Sequence, residues 1–335
     1  MIKNKKILIV GAGGFIGGHL VDRLLNDGNT IVATDIKPKE YWFQDFPEAD
    51  NHYATDMKDI SNCRKVSTGV DFVFNMACNM GGMGFIENNK AECMLSVLIN
   101  TNLLIACNEN KVQRYFFSSS ACAYNETMQQ DVFIKGLKEE DAYPAQPQDG
   151  YGWEKLFSER MCRHFTEDFK IETRVARYHN VYGPLGTFDG GREKAPAALC
   201  RKVINAKLNS IDTIDVWGDG EQTRSFMYID DCLIGTKKLF LSDSSDVYNI
   251  GSEEQVSINQ MIEVIEDIAG VTLKKNHLLD KPLGVRGRSS DNSLIREKIQ
   301  WDTEVSLKNG LEKTYKWIFD QITSGTNNSK FTKKY

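Results

Sequence analysis

Tyr151 and Lys155 stand four residues apart in Tyr-Gly-Trp-Glu-Lys. On a helix that spacing puts both side chains on one face. An ammonium under a phenol ring favours the phenolate, and such a phenol can take a proton from an alcohol while a hydride leaves for a nicotinamide. Upstream lies Ser118-Ser119-Ser120-Ala121-Cys122, in which Ser120 can hydrogen-bond the reacting hydroxyl and orient it. Further upstream, Gly11-Ala-Gly-Gly14-Phe15-Ile16-Gly17 has the spacing of a dinucleotide loop. A tyrosine–lysine pair arises easily by chance in a chain with 12 tyrosines. The order of glycine loop, serine stretch and Tyr-x-x-x-Lys is what gives the pair meaning.

The elements that must carry these residues alternate in type. Residues 7–10 form a continuous apolar run, expected as a strand buried on both faces. The glycine loop follows and opens an amphipathic helix over 15–26. In that context Gly11, Gly14 and Gly17 permit a tight turn, close approach to a pyrophosphate and close helix–sheet packing, while Phe15 and Ile16 begin the helix whose N-terminus favours the anion. A second strand over 31–34 ends at Asp35. A carboxylate there accepts hydrogen bonds from the adenosine ribose and repels a 2′-phosphate, so NAD is expected rather than NADP. Lys37 and Lys39 close by pull the other way. Asp56, after a short extended stretch, is a weaker candidate for the adenine edge.

Strands are also expected over 72–76, 115–118 and 174–177, with helices over 91–108 and 151–168. This alternation predicts an α/β fold, a Rossmann-type doubly wound parallel sheet. From about residue 180 the texture changes to loops marked by Gly183-Pro184, Gly190-Gly191 and Trp217-Gly-Asp-Gly220. Residues 1–183 are expected to form the NAD-binding domain, with 226–229 and 247–250, in the segment 226–251, returning to its sheet as strands. Residues 184–225 and 252–323 then form a smaller C-terminal α/β substrate-binding lobe, and 324–335 a loose tail.

The chain has 335 residues, 41% hydrophobic and 26% charged, with a net charge of -5. That is a globular composition with no field for nucleic acid or a membrane surface, so phosphates must be met by local Arg and Lys. No apolar run is expected to span a membrane. Lys3, Lys5 and Lys6 before residues 7–10 imitate a signal peptide, but glycines interrupt the stretch that follows. The eight cysteines include no Cys-x-x-Cys pair and the five histidines make no metal-ligand spacing, so neither a disulfide framework nor a metal is expected. Reduced thiols in a chain of this size point to the cytoplasm.

Longer strings add to these motifs: Asn79-Met-Gly-Gly-Met-Gly-Phe85, Ser119-Ser-Ala-Cys122, Pro147-Gln-Asp-Gly-Tyr-Gly152, His179-Asn-Val-Tyr-Gly-Pro184, Gly190-Gly-Arg-Glu-Lys-Ala-Pro-Ala197, Trp217-Gly-Asp-Gly-Glu-Gln-Thr-Arg-Ser225 and Gly284-Val-Arg-Gly-Arg288. With them the chain resembles the extended short-chain dehydrogenase/reductase family, whose members act on nucleotide sugars. Within it the chain looks most like the GDP-mannose 3,5-epimerases.

The resemblance implies transient oxidation of a hexose at C4, which makes the C3 and C5 protons acidic because their carbanions become enolates. It makes Cys122 the base and Lys194 the acid that invert those centres; the same NADH then reduces the ketone. Ala121-Cys122 stands where nucleotide-sugar 4,6-dehydratases carry an aspartate and a glutamate, which argues against dehydration. By residue type alone the plainer readings win: a buried structural thiol and a solvated loop charge.

The same resemblance implies that Lys202, Arg224 and Arg288, in preference to Arg192, meet the two phosphates. Gln222 would touch the nucleotide sugar. Gly81, Ser120, Ala121, Cys122, Asn180 and the backbone of Glu193, Lys194 and Ala195 would line the sugar site. Two copies would pair through the helices over 91–108 and 151–168 as a homodimer. The expected reaction takes GDP-mannose to GDP-L-galactose, with GDP-L-gulose as the C5-only product. The alternatives are a 4-epimerase, dehydratase or decarboxylase on another nucleotide sugar, an epimerase on a modified mannose such as a GDP-heptose, and a non-catalytic NAD-binding sensor.

Overall fold

The computed structural model describes residues 2–325 and 329–332. The apolar and β-branched runs form strands β1 (Lys6–Val10), β2 (Thr30–Thr34), β3 (Asp50–His52), β4 (Phe72–Asn75), β5 (Arg114–Ser120) and β6 (Glu172–Tyr178). They are followed by β7 (Val181–Tyr182), β8 (Thr213–Trp217), β9 (Thr223–Ser225), β10 (Met227–Tyr228) and β11 (Val247–Ile250). Seven strands make one parallel sheet in the order β11-β6-β5-β4-β1-β2-β3. The α/β doubly wound architecture expected from the sequence is therefore present.

Alternation within β1 sends Ile7 and Ile9 to one face, under the helices Phe15–Asn26 and Ile229–Leu241. Leu8 and Val10 go to the other, under Val97–Glu109 and Asp149–Phe169. Both faces are covered, which is why the strand reads as an unbroken apolar run. The chain runs outward from β1 through β2 to β3, then returns to the other side of β1 with β4. The carboxyl ends of β1, β4 and β5 meet at that reversal, where open α/β sheets bind ligands.

Several elements differ from expectation. The helix expected over 91–108 is two helices, Lys90–Met94 and Val97–Glu109. By length and composition alone residues 90–109 are apolar enough to cross a membrane, contrary to the sequence reading; here they pack against Asp149–Phe169. Of the two strands expected to return to the main sheet, only β11 does so. The apolar stretch 226–229 gives β10, which pairs in parallel with β7 apart from that sheet. A strand of two residues has too few hydrogen bonds to declare its partner in sequence.

The second lobe joins its two expected stretches through small sheets. Strand β8 pairs with Lys274–Leu278, and β9 lies between Gln255–Ser257 and Gly287–Arg288. The expectation of a loose tail fails at Ser329–Thr332, a helical turn whose Phe331 is 3% exposed. That ring lies 5.2 Å from Phe43 and 5.0 Å from Trp317 by centroids, and Phe188 N donates to Phe331 O at 3.1 Å. The tail positions 326–328 and 333–335 fall outside the described residues.

Candidate active site

The turn after β1 is built for close approach. Gly11 has φ +86°, and a Cβ on it would lie 2.9 Å from Ala77 N. A Cβ on Gly17 would lie 2.1 Å from Gly11 O. Gly14 is the N-cap of the helix Phe15–Asn26, so the first amides, including those of Phe15 and Ile16, face the turn without an obstructing side chain. Asp35 follows β2. Its Oδ2 accepts from Gly13 N at 3.0 Å and its Oδ1 from Lys37 N at 3.0 Å. Burial pushes its carboxyl up, while the Lys37 charge and these amides pull it back. Asp56 is brought beside it, because Thr55 N donates to Asp35 O at 2.9 Å.

Ser120 ends β5 and caps the short turn Ala121–Ala123, its Oγ accepting from Cys122 N at 3.2 Å. The hydroxyl proton is left free to donate elsewhere. The helix Asp149–Phe169 comes hard against this turn at Gly152, and Gln148 N donates to Cys122 O at 3.1 Å. That approach seats Tyr151, 5% exposed, beside Cys122 and Cys93. Lys155 Nζ lies 5.6 Å from the Tyr151 ring centroid and 4.7 Å from that of Phe117.

The sequence reading expected Lys155 to favour the phenolate. Instead burial dominates and holds the Tyr151 phenol well above its ordinary range; Cys78, Cys122 and Glu154 add to the rise, and Ser120 opposes it. Burial lowers the Lys155 ammonium, but Cys78 and Glu154 outweigh it and carry the group upward. Glu154 is 3.5 Å away, yet the buried Nζ has no well-formed hydrogen bond.

A cradle without side chains, a carboxylate at the second strand end and an orphaned buried ammonium fit a dinucleotide. Gly11 to Gly17 would hold its pyrophosphate, Asp35 the adenosine ribose and Lys155 the nicotinamide ribose hydroxyls. Among the described residues, no cluster of His, Cys, Asp and Glu could hold a metal ion.

Around Cys122 the charges are positive. Arg288 Nη1 lies 3.3 Å from Cys122 Sγ. Arg288 and Arg224 are direct register partners on parallel strands, so their side chains share a face. Burial, with the Arg288 charge next, pushes Arg224 down to about 9. Arg224 donates to the carbonyls of Thr223, Leu283 and Val285, and Arg288 to the amide oxygens of Gln129 and Gln148. None of these partners is a carboxylate, so the pair has room for an anion such as a diphosphate. Lys194 is the N-cap of the helix Ala195–Leu208; burial lowers its ammonium, while Cys122 and Cys78 pull it back up.

The remaining candidates frame this centre. A Cβ on Gly81 would meet Phe85 at 2.8 Å, and one on Gly82 would meet Glu193 O at 2.6 Å. The loop after β4 therefore packs directly on the segment Glu193, Lys194, Ala195. Arg192 braces that junction, donating to Asn79 Oδ1 and Met80 O and lying 3.9 Å over the Phe85 ring. Asn180 holds Ser225 O at 3.0 Å, and Gln222 has a buried Oε1 with no partner. Lys202 reaches Asp215 O at 2.7 Å from the same helix that Lys194 caps. Ala121 is buried in the turn between Ser120 and Cys122.

Sequence reasoning missed Cys78, Gln129, Gln148 and Glu154. Cys78 follows the carboxyl end of β4 and acts on Tyr151, Lys155 and Lys194; its place at a strand end was the available signal. Loop glutamines carry none.

Residues 7–251 match the model of the NAD dependent epimerase/dehydratase family. The chain belongs to this family. NAD is accordingly its cofactor, and the glycine cradle and Asp35 are where a family member would hold it. Rice (Oryza sativa subsp. japonica) GDP-mannose 3,5-epimerase 1 is 49% identical over 318 residues, covering 95% of this chain and 82% of that relative. The Arabidopsis thaliana GDP-mannose 3,5-epimerase is 47% identical, covering 96% of this chain and 84% of that relative. Among solved structures, the Bacillus cereus UDP-glucuronic acid 4-epimerase in complex with UDP-glucuronic acid and NAD superposes with a TM-score of 0.76 at 28% identity, covering 95% and 99% of the two chains. This family member is thus an epimerase of nucleotide sugars.

Proposed function

We propose that the protein is a GDP-mannose 3,5-epimerase, forming GDP-L-galactose and GDP-L-gulose. The observation that carries this reading is the gathering of Cys122 and Lys194 beside Ser120, Tyr151 and Lys155 in one site. The identity to the rice and Arabidopsis enzymes supports GDP-mannose over other nucleotide sugars. Bound NAD would accept the C4 hydride and later return it. Ser120 orients the C4 hydroxyl, and Tyr151 takes its proton and gives it back. Once C4 is a ketone, Cys122 removes a proton from a neighbouring carbon and Lys194 delivers one to the opposite face. Burial of Lys194 moves its ammonium toward an acidity suited to that delivery. Arg224 and Arg288, with Lys202 further along, supply positive charge for the diphosphate. A dehydratase or decarboxylase is disfavoured by Ala121-Cys122, which offers no carboxylate at that turn.

Conversion of Cys122→Ser followed by incubation with GDP-mannose in deuterated water tests the reading. Loss of deuterium uptake at C3 and C5 is expected. Undiminished uptake removes Cys122 from its role.

The same reading includes a homodimer. Met94, Leu95 and Leu98 are exposed on one helical pair, and Trp153 and Phe157 on the helix packed against it. Two such faces would cover one another across a two-fold axis. Light scattering that shows only monomer contradicts it. Eight unpaired cysteines support placement in the cytoplasm.

A further inference from the structure

We infer that Arg192 is a positioning residue for the acid Lys194. It fixes the segment bearing that ammonium against the loop after β4, so that acid and base face each other across the sugar. The inference deepens the epimerase reading and rests on it for the roles of Lys194 and Cys122.

The two groups arrive from different parts of the molecule. Cys122 follows β5 of the seven-stranded sheet, whereas Lys194 precedes the helix Ala195–Leu208, outside that sheet. Inversion needs them on opposite sides of one ring carbon, and an error of about 1 Å in such placement costs about 100-fold. The chain that leads to Lys194 is not stiff by itself. Gly190 and Gly191 both have positive φ, +93° and +91°. Gly191 is exposed, and a Cβ on it would meet nothing within 4 Å.

Arg192 comes next and grips the loop after β4 with both backbone and side chain. Its carbonyl accepts from Gly82 N at 3.2 Å. Its Nη1 donates to Asn79 Oδ1 at 3.0 Å and to Met80 O at 3.1 Å. Its guanidinium lies 3.9 Å over the Phe85 ring. Phe85 is 7% exposed and packs in one cluster with Cys122 and Tyr151. A planar guanidinium can bond acceptors at its edge and stack on a ring with its face, which an ammonium cannot do at once. The acid's segment is thereby fixed to the wall that carries the base and the phenol. Gly82 completes the junction, since a Cβ there would fall 2.6 Å from Glu193 O.

The step served by this arrangement balances within the site. Cys122 has taken the proton from one face of a carbon beside C4, leaving an enolate. Lys194 then gives a proton to the opposite face. An N–H bond breaks and its electron pair stays on nitrogen, while the enolate electrons form the new C–H bond and the C4 carbonyl is restored. With Lys194 out of line, the nearest proton is the one on Cys122, which returns to the face it left. A thiol proton exchanges with solvent, so in deuterated water that carbon gains deuterium without inversion.

The test incubates the full-length protein with NAD and GDP-mannose in deuterated water. NMR measures deuterium in the recovered GDP-mannose and the amount of its C3 and C5 epimers. In Arg192→Met, epimer formation is expected to fall by about 100-fold, while deuterium uptake into recovered GDP-mannose stays within a few-fold of wild type. Arg192→Lys, which keeps the charge but not the fork, falls between that variant and wild type. Gly82→Ala presses on Glu193 O from the other side and is expected to give the same split. It decides the matter should Arg192→Met fail to fold. A merely structural role lowers uptake and inversion together. Uptake and inversion that change by the same factor, or not at all, in either folded variant overturn the inference. Lys194→Met separates that failure from failure of the epimerase reading. Uptake without inversion in Lys194→Met leaves the acid in place, and the Arg192 and Gly82 variants then decide alone. Normal inversion in Lys194→Met removes the acid, and the inference with it.

Discussion

Gly152 stands where a Cβ would fall 2.3 Å from the carbonyl oxygen of Cys122. The helix that carries Tyr151 and the turn that carries Ser120 can touch only because a hydrogen occupies that spot. Gly152→Ala must push one against the other. Overpacking of this kind costs about 1–3 kcal/mol, read by chemical denaturation. The displacement also separates Tyr151 from Ser120, and turnover is expected to fall by about 100-fold, as small misplacements of reacting groups do.

Tyr151→Phe removes the phenolic proton carrier and leaves the glycine cradle, Asp35 and Lys155 intact. Turnover of GDP-mannose is expected to fall by about 10²–10⁴-fold, the typical contribution of a positioned acid–base group. NAD affinity, measured by calorimetry, should stay within a few-fold of wild type. A large loss of NAD binding instead would mean that the phenol supports the cofactor more than the reaction.

Glu154 is 2% exposed, and it raises both the Tyr151 phenol and the Lys155 ammonium. Glu154→Gln removes that negative charge, so both groups release their protons at lower pH. The rising acid limb of kcat/KM, which reports formation of the base in the free enzyme, should therefore move to lower pH. A limb that stays in place would show that Tyr151 does not set it.

His179 is fully buried, and burial lowers its imidazole to about 3. Asn249 Nδ2 is committed to Leu137 O and Asp291 O, so its Oδ1 accepts from His179 Nε2 at 2.9 Å. The unfolded chain takes up a proton at this residue below about 6.5, whereas the folded chain does not until about 3. The contribution is thus complete above the unfolded value and is lost as pH falls between the two. Stability should decline there by about 1.4 kcal/mol per pH unit from this residue. In His179→Gln the slope of unfolding free energy against pH should flatten over that window.

The parts of this molecule that obey a period or a fixed spacing were legible beforehand. β1, the glycine loop and the helix Phe15–Asn26 follow the alternation of strand and helix, and Tyr151 with Lys155 follows the helical turn. Other features depended on contacts that sequence does not encode locally. The apolar pattern runs on across Leu95 and Ser96, so the division into Lys90–Met94 and Val97–Glu109 left no mark. Lys155 was expected to govern the Tyr151 phenol, but burial and Cys78 are set by how the loop after β4 folds over the site. Arg288 drew notice as a phosphate ligand because arginine forks suit phosphates; its bond to Cys122 joins residues far apart in the chain. Phe331 is a lone aromatic among polar neighbours, below any periodic signal.

Phe331 also ties two parts of the site together. Its ring rests on Phe43, whose amide reaches Gly13 O at 3.2 Å, and its carbonyl receives the amide of Phe188, six residues before Lys194. This one residue, by its ring and its carbonyl, therefore braces both the wall of the dinucleotide cradle and the approach to the proposed acid. A substitution that empties this spot, such as Phe331→Ala, would leave every catalytic group in place but no keystone between them.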